Sequence, residues 1–176
     1  METPNIYQEK FISKMAELGY TILQERDNTF SLNLNEVNSR QIKIRLIVSE
    51  PIIKRIHGSK NNTEIKSIGY FNFKLAPEAF EPNFYIFAFT NTRDNKVEFV
   101  VVPYPELKNR IVLKKCNTNY DQEIELKFWL LPDNLVFDSS GLGAEGEYWF
   151  IGGRMAINTY SDFTSFLDGW NQLVQA

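Results

Sequence analysis

The sequence predicts an α+β domain with a mixed, largely antiparallel central sheet flanked by N- and C-terminal helices. Three observations carry this prediction: a stripe of apolar residues at helical spacing near the start, a long middle region of strand-length apolar segments, and a second helical stripe at the end. At 176 residues the chain has the length of one domain, spanning 1–176, and buries about two thirds of its unfolded surface on folding. For the first helix, Thr3 is the cap and Pro4 the first helical residue. Tyr7, Phe11, Ile12, Met15 and Leu18 form the buried stripe, and Gly19 ends it.

"YTILQE", "FSLNLN" and "QIKIRLIVSE" come next, separated by "RDNT" and "EVNSR", whose Asp, Asn and Ser favour turns. This is an antiparallel meander. Phe30, Leu32 and Leu34 alternate with Ser31 and Asn33, and Ile42, Ile44 and Leu46 with Lys43 and Arg45, so each strand shows one apolar and one polar face. "PIIKRIHGSKNNTE" is a basic connector and "GYFNFKLAP" a further alternating strand. "FYIFAFT" and "VEFVVVP" are continuous apolar runs of the kind covered on both faces, and predict a hairpin at the centre of the sheet, turning through "NTRDNK". Pro103 ends the pairing because it has no N–H. "IELKFWLLPDNLVFD" and "EYWFIGG" add strands. Asp162 or Ser161 caps a last helix bearing Phe163, Phe166, Leu167, Trp170, Leu173 and Val174.

Composition excludes several classes. No apolar run approaches the roughly 20 residues that span a bilayer, and charges interrupt the apolar pattern of "METPNIYQEKFISKM", so it lacks the form of a secretory signal. A cytoplasmic protein with no membrane partner is expected. Cys116 is the only cysteine, in keeping with a reducing compartment, and the sequon at Asn61 matters only after secretion. The net charge of −3 argues against bulk coating of nucleic acid. Its distribution is uneven. From Gln41 to Lys66 six cations (Lys43, Arg45, Lys54, Arg55, Lys60, Lys66) face two acids (Glu50, Glu64). From Phe128 onward six acids face Arg154 alone. The first region can meet phosphates or be ordinary solvated surface.

Other constellations carry little. Gly141, Gly143 and Gly146 match the dinucleotide fingerprint, but a strand follows them where that chemistry needs a helix. His57 is the only histidine and lies in a basic loop, where a phosphate contact or plain surface fits better than a general base. Cys116 after Lys114 and Lys115 reads as an idle thiol, although the lysines favour a thiolate. Tyr148, Trp149 and Phe150 read as core rather than as a base-stacking platform.

The helix, the meander and the later "NFYIFAF…VEFVVVPYPEL" together resemble the core of the restriction-endonuclease-like superfamily, the PD-(D/E)XK nucleases, over roughly Thr21 to Ile111. Members place a carboxylate on the second meander strand and an acidic-x-Lys triplet on the third. The carboxylates hold Mg²⁺ and the lysine orients water or steadies charge on the phosphate. At the corresponding positions this sequence has Ser31 or Asn33, then Lys43 and Arg45. The resemblance therefore implies a degenerate site at Lys43 and Arg45, with no cofactor. Mg²⁺, and a Mg-dependent nuclease, would require another carboxylate site. Two acidic-x-Lys triplets are weak candidates: Glu64 with Lys66, helped by Glu50 or Asp27, and Glu125 with Lys127, whose side chains share one face of a strand. An exposed ion-pairing edge is the better reading of either, because such triplets arise readily in any charged strand.

The resulting expectation is a protein that acts on or binds DNA or RNA through Lys43, Arg45, Lys54, Arg55 and Lys60. Lys43 and Arg45 are expected to be exposed cations that add little to folding. The alternative is a non-enzymatic module that meets a protein partner through its acidic C-terminal third.

Overall fold

Alternation along the meander sets the first layer. A computed structural model describes residues 6–24, 28–34, 41–49, 67–77, 81–91, 94–113, 123–140 and 160–174. Helix α1 (Ile6–Glu17) leads into strands β1 (Tyr20–Gln24), β2 (Thr29–Leu34) and β3 (Gln41–Val48), which pair antiparallel in sequence order. Gly19 ends α1 as expected: it adopts φ 82°, open to glycine at no steric cost, and its N–H returns to the carbonyl of Ala16 at 3.0 Å.

Next along the chain are β4 (Ser67–Lys74), β5 (Phe84–Thr90), β6 (Val97–Pro103) and α2 (Tyr104–Leu113), then β7 (Glu123–Leu130) and β8 (Val136–Asp138). β5 pairs parallel with β3 and antiparallel with β6, which makes a five-stranded mixed sheet in the order β1-β2-β3-β5-β6. The other three strands form a separate antiparallel sheet, β4-β7-β8. The hairpin of β5 and β6 is as predicted, but its place is corrected: among the described residues β6 is an edge strand of the sheet, not a central one.

Its continuous apolar character has another cause, because β5 and β6 are covered on both faces. Phe84, Ile86, Ala88, Phe99 and Val101 pack with Phe11 and Met15 of α1 and with Trp170 and Leu173. Tyr85, Phe87, Phe89, Val100 and Val102 pack against Phe71 and Phe73 of β4, Leu126 and Phe128 of β7, and Leu107 and Ile111 of α2. Each buried large side chain contributes about 1.5–3 kcal/mol relative to exposure, so these two clusters outweigh any polar term in the molecule. The sheets approach closely at Gly69, where an added Cβ would lie 2.7 Å from the Phe71 ring and 3.0 Å from that of Phe89. Only glycine fits there without displacing an aromatic ring.

The C-terminal helix is also corrected. Asp162 does accept the Thr164 N–H at 2.9 Å, as a cap would. Beyond it the chain forms a 3-10 turn at Thr164–Phe166 and a single α-helical turn, α3 (Asn171–Val174). Asp168 stands between them at φ 48° and donates its N–H to Phe99 at 2.8 Å, and Leu167 bridges Val100. Upstream, Ser161 accepts the N–H of Asp138 and Phe163 donates to Val136, both at 2.8 Å, beside a bridge between Asp162 and Phe137. One segment thus covers the outer edges of β6 and β8. Pairing with two sheet edges competes with helix formation and wins, because an uncovered edge leaves a row of unpaired backbone groups.

"LKFWLLPDNLVFD" breaks at a 3-10 turn, Pro132–Asn134, where Asp133 and Asn134 take φ 61° and 59°. Asp and Asn tolerate this conformation better than other side chains. No helix among the described residues is long and apolar enough to cross a membrane. The predicted cap at Thr3 and Pro4, the basic loop with Lys54, Arg55, His57 and Lys60, the Glu64/Lys66 triplet, Cys116, the Gly141 to Gly146 turn and the "EYWFIGG" strand lie outside the described residues.

Candidate nucleic-acid interface

Ile42, Ile44 and Leu46 point into the α1 cluster. By the two-residue period of a strand, Lys43 and Arg45 project from the opposite face. Register places Thr29 opposite Arg45, Ser31 opposite Lys43 and Asn33 opposite Gln41, and Arg45 beside Tyr85 in the parallel pair. This face therefore has two halves. Toward β5 and β6 it is aromatic and packed under the second sheet. Toward β2 and β3 it carries Thr29, Ser31, Asn33, Gln41, Lys43 and Arg45, with no carboxylate among them.

Lys43 is fixed through its backbone. Its N–H donates to Asn83 Oδ1 and its carbonyl accepts the Asn83 N–H, both at 2.8 Å. The Asn83 side chain thus extends the β3–β5 ladder by one rung. The Lys43 ammonium makes no ion pair among the described residues. Arg45 differs from the expectation of a free cation: its Nη1 donates to the carbonyl of Lys74 at 3.0 Å, and its charge acts on the Tyr85 hydroxyl. That hydroxyl accepts the Ala76 N–H at 2.8 Å. Burial holds the Tyr85 pKa above its ordinary value, against the opposing pull of the Ala76 N–H and the Arg45 charge.

A cluster that the sequence did not flag adjoins this face. Tyr104 stacks on Tyr85 with ring centroids 5.9 Å apart and donates its N–H to the Asn83 carbonyl at 2.9 Å. Its hydroxyl donates to Glu81 Oε1 at 2.6 Å. Lys108 Nζ lies 3.6 Å from the same oxygen and 5.5 Å from the centre of the Tyr104 ring. Glu81 and Lys108 are 27 positions apart in sequence, and only the turn of α2 after Pro103 brings them together. Their one sequence signal was the aromatic start of "YPELK".

The expected metal-ligand positions hold no acid: Ser31 is fully buried and Asn33 half-buried. Glu125 and Lys127 share a face of β7, but it is the side opposite Ile124, Leu126 and Phe128 of the core, so they do not join Lys43 and Arg45. Lys127 Nζ instead lies 5.5 Å from the centre of the Trp129 ring. Among the described residues no three His, Cys, Asp or Glu side chains are placed to hold a metal ion.

No family model, no curated protein and no solved structure matches the chain.

Both charged side chains on the polar half of this face are cations. Lys43 offers a point charge with three donors. Arg45 offers five N–H donors, of which the Lys74 carbonyl takes one.

Proposed function

We propose that the chain is a nucleic-acid-binding domain of the restriction-endonuclease-like class that lacks the usual metal-dependent nuclease site. The observation that carries this reading is the pair Lys43 and Arg45, on the polar half of the sheet face, at the positions where an active member would hold its acidic-x-Lys triplet. Two cations cannot bind Mg²⁺, but they form charge-assisted hydrogen bonds to a phosphate diester where the metal would otherwise sit. The helix-and-meander start, the mixed sheet and the strand-to-helix passage at Pro103 and Tyr104 support the class.

The test is a titration of the protein with labelled single- and double-stranded oligonucleotides at increasing salt. A phosphate-binding face releases counterions, so the logarithm of the affinity falls linearly with the logarithm of salt concentration. Absence of measurable affinity at low salt rejects the reading and leaves the protein-partner alternative.

A further inference from the structure

We infer that Lys108 forms a second phosphate contact beside the Lys43 face, and that Glu81, held by the Tyr104 hydroxyl, gates it by occupying Lys108 until a backbone phosphate displaces the carboxylate from the ammonium. This deepens the nucleic-acid reading above and rests on it.

The two sites are joined by a chain of contacts. Lys43 is bonded through its backbone to Asn83, whose carbonyl accepts the Tyr104 N–H. Tyr104 in turn stacks on Tyr85, the register partner of Arg45. Tyr104 and Tyr85 belong to the same core cluster, so α2 packs on the side of the sheet from which Lys43 and Arg45 project. Lys108 stands one turn after Tyr104, over its ring.

Glu81 does at this point what a phosphate oxygen would do. It accepts a hydroxyl bond at 2.6 Å and lies near an ammonium. The two contacts differ in quality. The Tyr104 bond is short, whereas the Lys108 separation of 3.6 Å is well beyond the roughly 2.7–2.9 Å of a strong charge-assisted bond, and both partners are partly open to solvent. An ion pair that loose and exposed is weak. A phosphate arriving from the Lys43 face can take Lys108 while Tyr104 keeps Glu81.

Fluorescence anisotropy with a labelled single-stranded oligonucleotide over a salt series tests this, using Lys108→Ala, Glu81→Gln, the double variant and Lys43→Ala. Glutamine keeps an acceptor for the Tyr104 hydroxyl, and Lys108→Ala alters a side chain that is already partly solvated, so neither change is expected to disturb the fold. Glu81→Gln is expected to bind roughly threefold to tenfold tighter with the salt slope unchanged, because the Lys108–phosphate contact forms in both proteins and only the competing carboxylate is removed. Lys108→Ala should weaken binding and make the slope shallower by about 0.7. The double variant should match Lys108→Ala alone, because the gate acts through Lys108. Inorganic phosphate should compete more strongly against Glu81→Gln than against the native chain.

If Lys43→Ala weakens binding while Glu81→Gln and Lys108→Ala leave affinity and slope unchanged, the second contact is wrong and the wider reading stands. If neither the native chain nor Glu81→Gln binds at low salt, both fall together. If only free phosphate binds, and the oligonucleotide does not, the site is one for a small anion and the gated nucleic-acid contact is refuted.

Discussion

Arg45 reaches from β3 of the mixed sheet to the carbonyl oxygen of Lys74, 3.0 Å away at the end of β4 in the second sheet. The side chain proposed to meet a phosphate is also a strut between layers. Arg45→Ala removes a charged hydrogen bond to the Lys74 carbonyl, and is expected to lower unfolding free energy by about 1 kcal/mol after allowance for solvent. Lys43→Ala should stay within about 0.5 kcal/mol of the native chain, as surface substitutions do. Urea denaturation of both variants checks the difference; equal effects would show that the strut is not formed.

Arg110 holds the C-terminal segment in a comparable way. Its guanidinium lies 4.7 Å from the Phe163 ring centre and 5.0 Å from that of Phe166, with Nε bonded to Glu106 at 2.7 Å and Nη1 to the Asp162 carbonyl. Lysine keeps the charge but has neither the planar face nor the fork of donors. Arg110→Lys should cost about 1–3 kcal/mol and speed hydrogen exchange at the Asp168 amide, which is bonded to Phe99. Unchanged exchange there would mean that the two rings hold the segment without the cation.

Stability should fall on the alkaline side. Lys96 has a raised pKa, chiefly from its hydrogen bond to Glu98, with burial opposing, and Tyr20 and Tyr85 are raised by burial. Each group binds its proton more tightly folded than unfolded. Its contribution is therefore complete below the unfolded value, about 10 for tyrosine and 10.4 for lysine, and is lost as pH rises through the folded value. The urea midpoint should hold to about pH 9 and decline toward pH 11. Tyr20, whose buried hydroxyl has no hydrogen-bond partner among the described residues, offers the control: Tyr20→Phe should be no less stable at neutral pH and should lose less at high pH. A midpoint that rises with pH over this range would contradict the assignment.

How much of the molecule is legible in the sequence differs by element. α1, the meander and the β5–β6 hairpin come directly from periodicity, because each apolar face has one period and one use. Burial on both faces is readable in "FYIFAFT" and "VEFVVVP", but not the position of β6 at an edge, since side-chain pattern reports what covers a strand and not what pairs with it. The stripe from Phe163 to Val174 misleads for a related reason. Its spacing is helical, yet its backbone bonds go to Phe99 and Val136, and no local pattern reveals a distant strand edge that needs covering. At the site, alternation alone finds Lys43 and Arg45. It does not find Glu81, Asn83, Tyr104 and Lys108, because they meet only through the parallel pairing of β3 with β5 and the turn into α2.

Cleavage should be weak. If the proposed class is right, Ser31, Asn33 and Lys43 occupy the positions of its metal ligands, and purified protein with Mg²⁺ or Mn²⁺ is expected to leave plasmid and single-stranded DNA intact over hours. Cleavage that is metal-dependent and abolished by Glu64→Ala or Glu125→Ala would place an active site at one of those triplets instead.

The salt dependence of oligonucleotide binding, compared between the native chain and Lys43→Ala, tests the central claim most directly. Lys43 is the right probe, because its ammonium makes no ion pair among the described residues, whereas changing Arg45 also disturbs the packing of the two sheets. If a phosphate sits on this face, the native chain binds with a negative salt slope, and Lys43→Ala weakens binding by about 1 kcal/mol and reduces the slope by roughly 0.7 to 0.9, one phosphate contact. Identical slopes and affinities in the two proteins would contradict it.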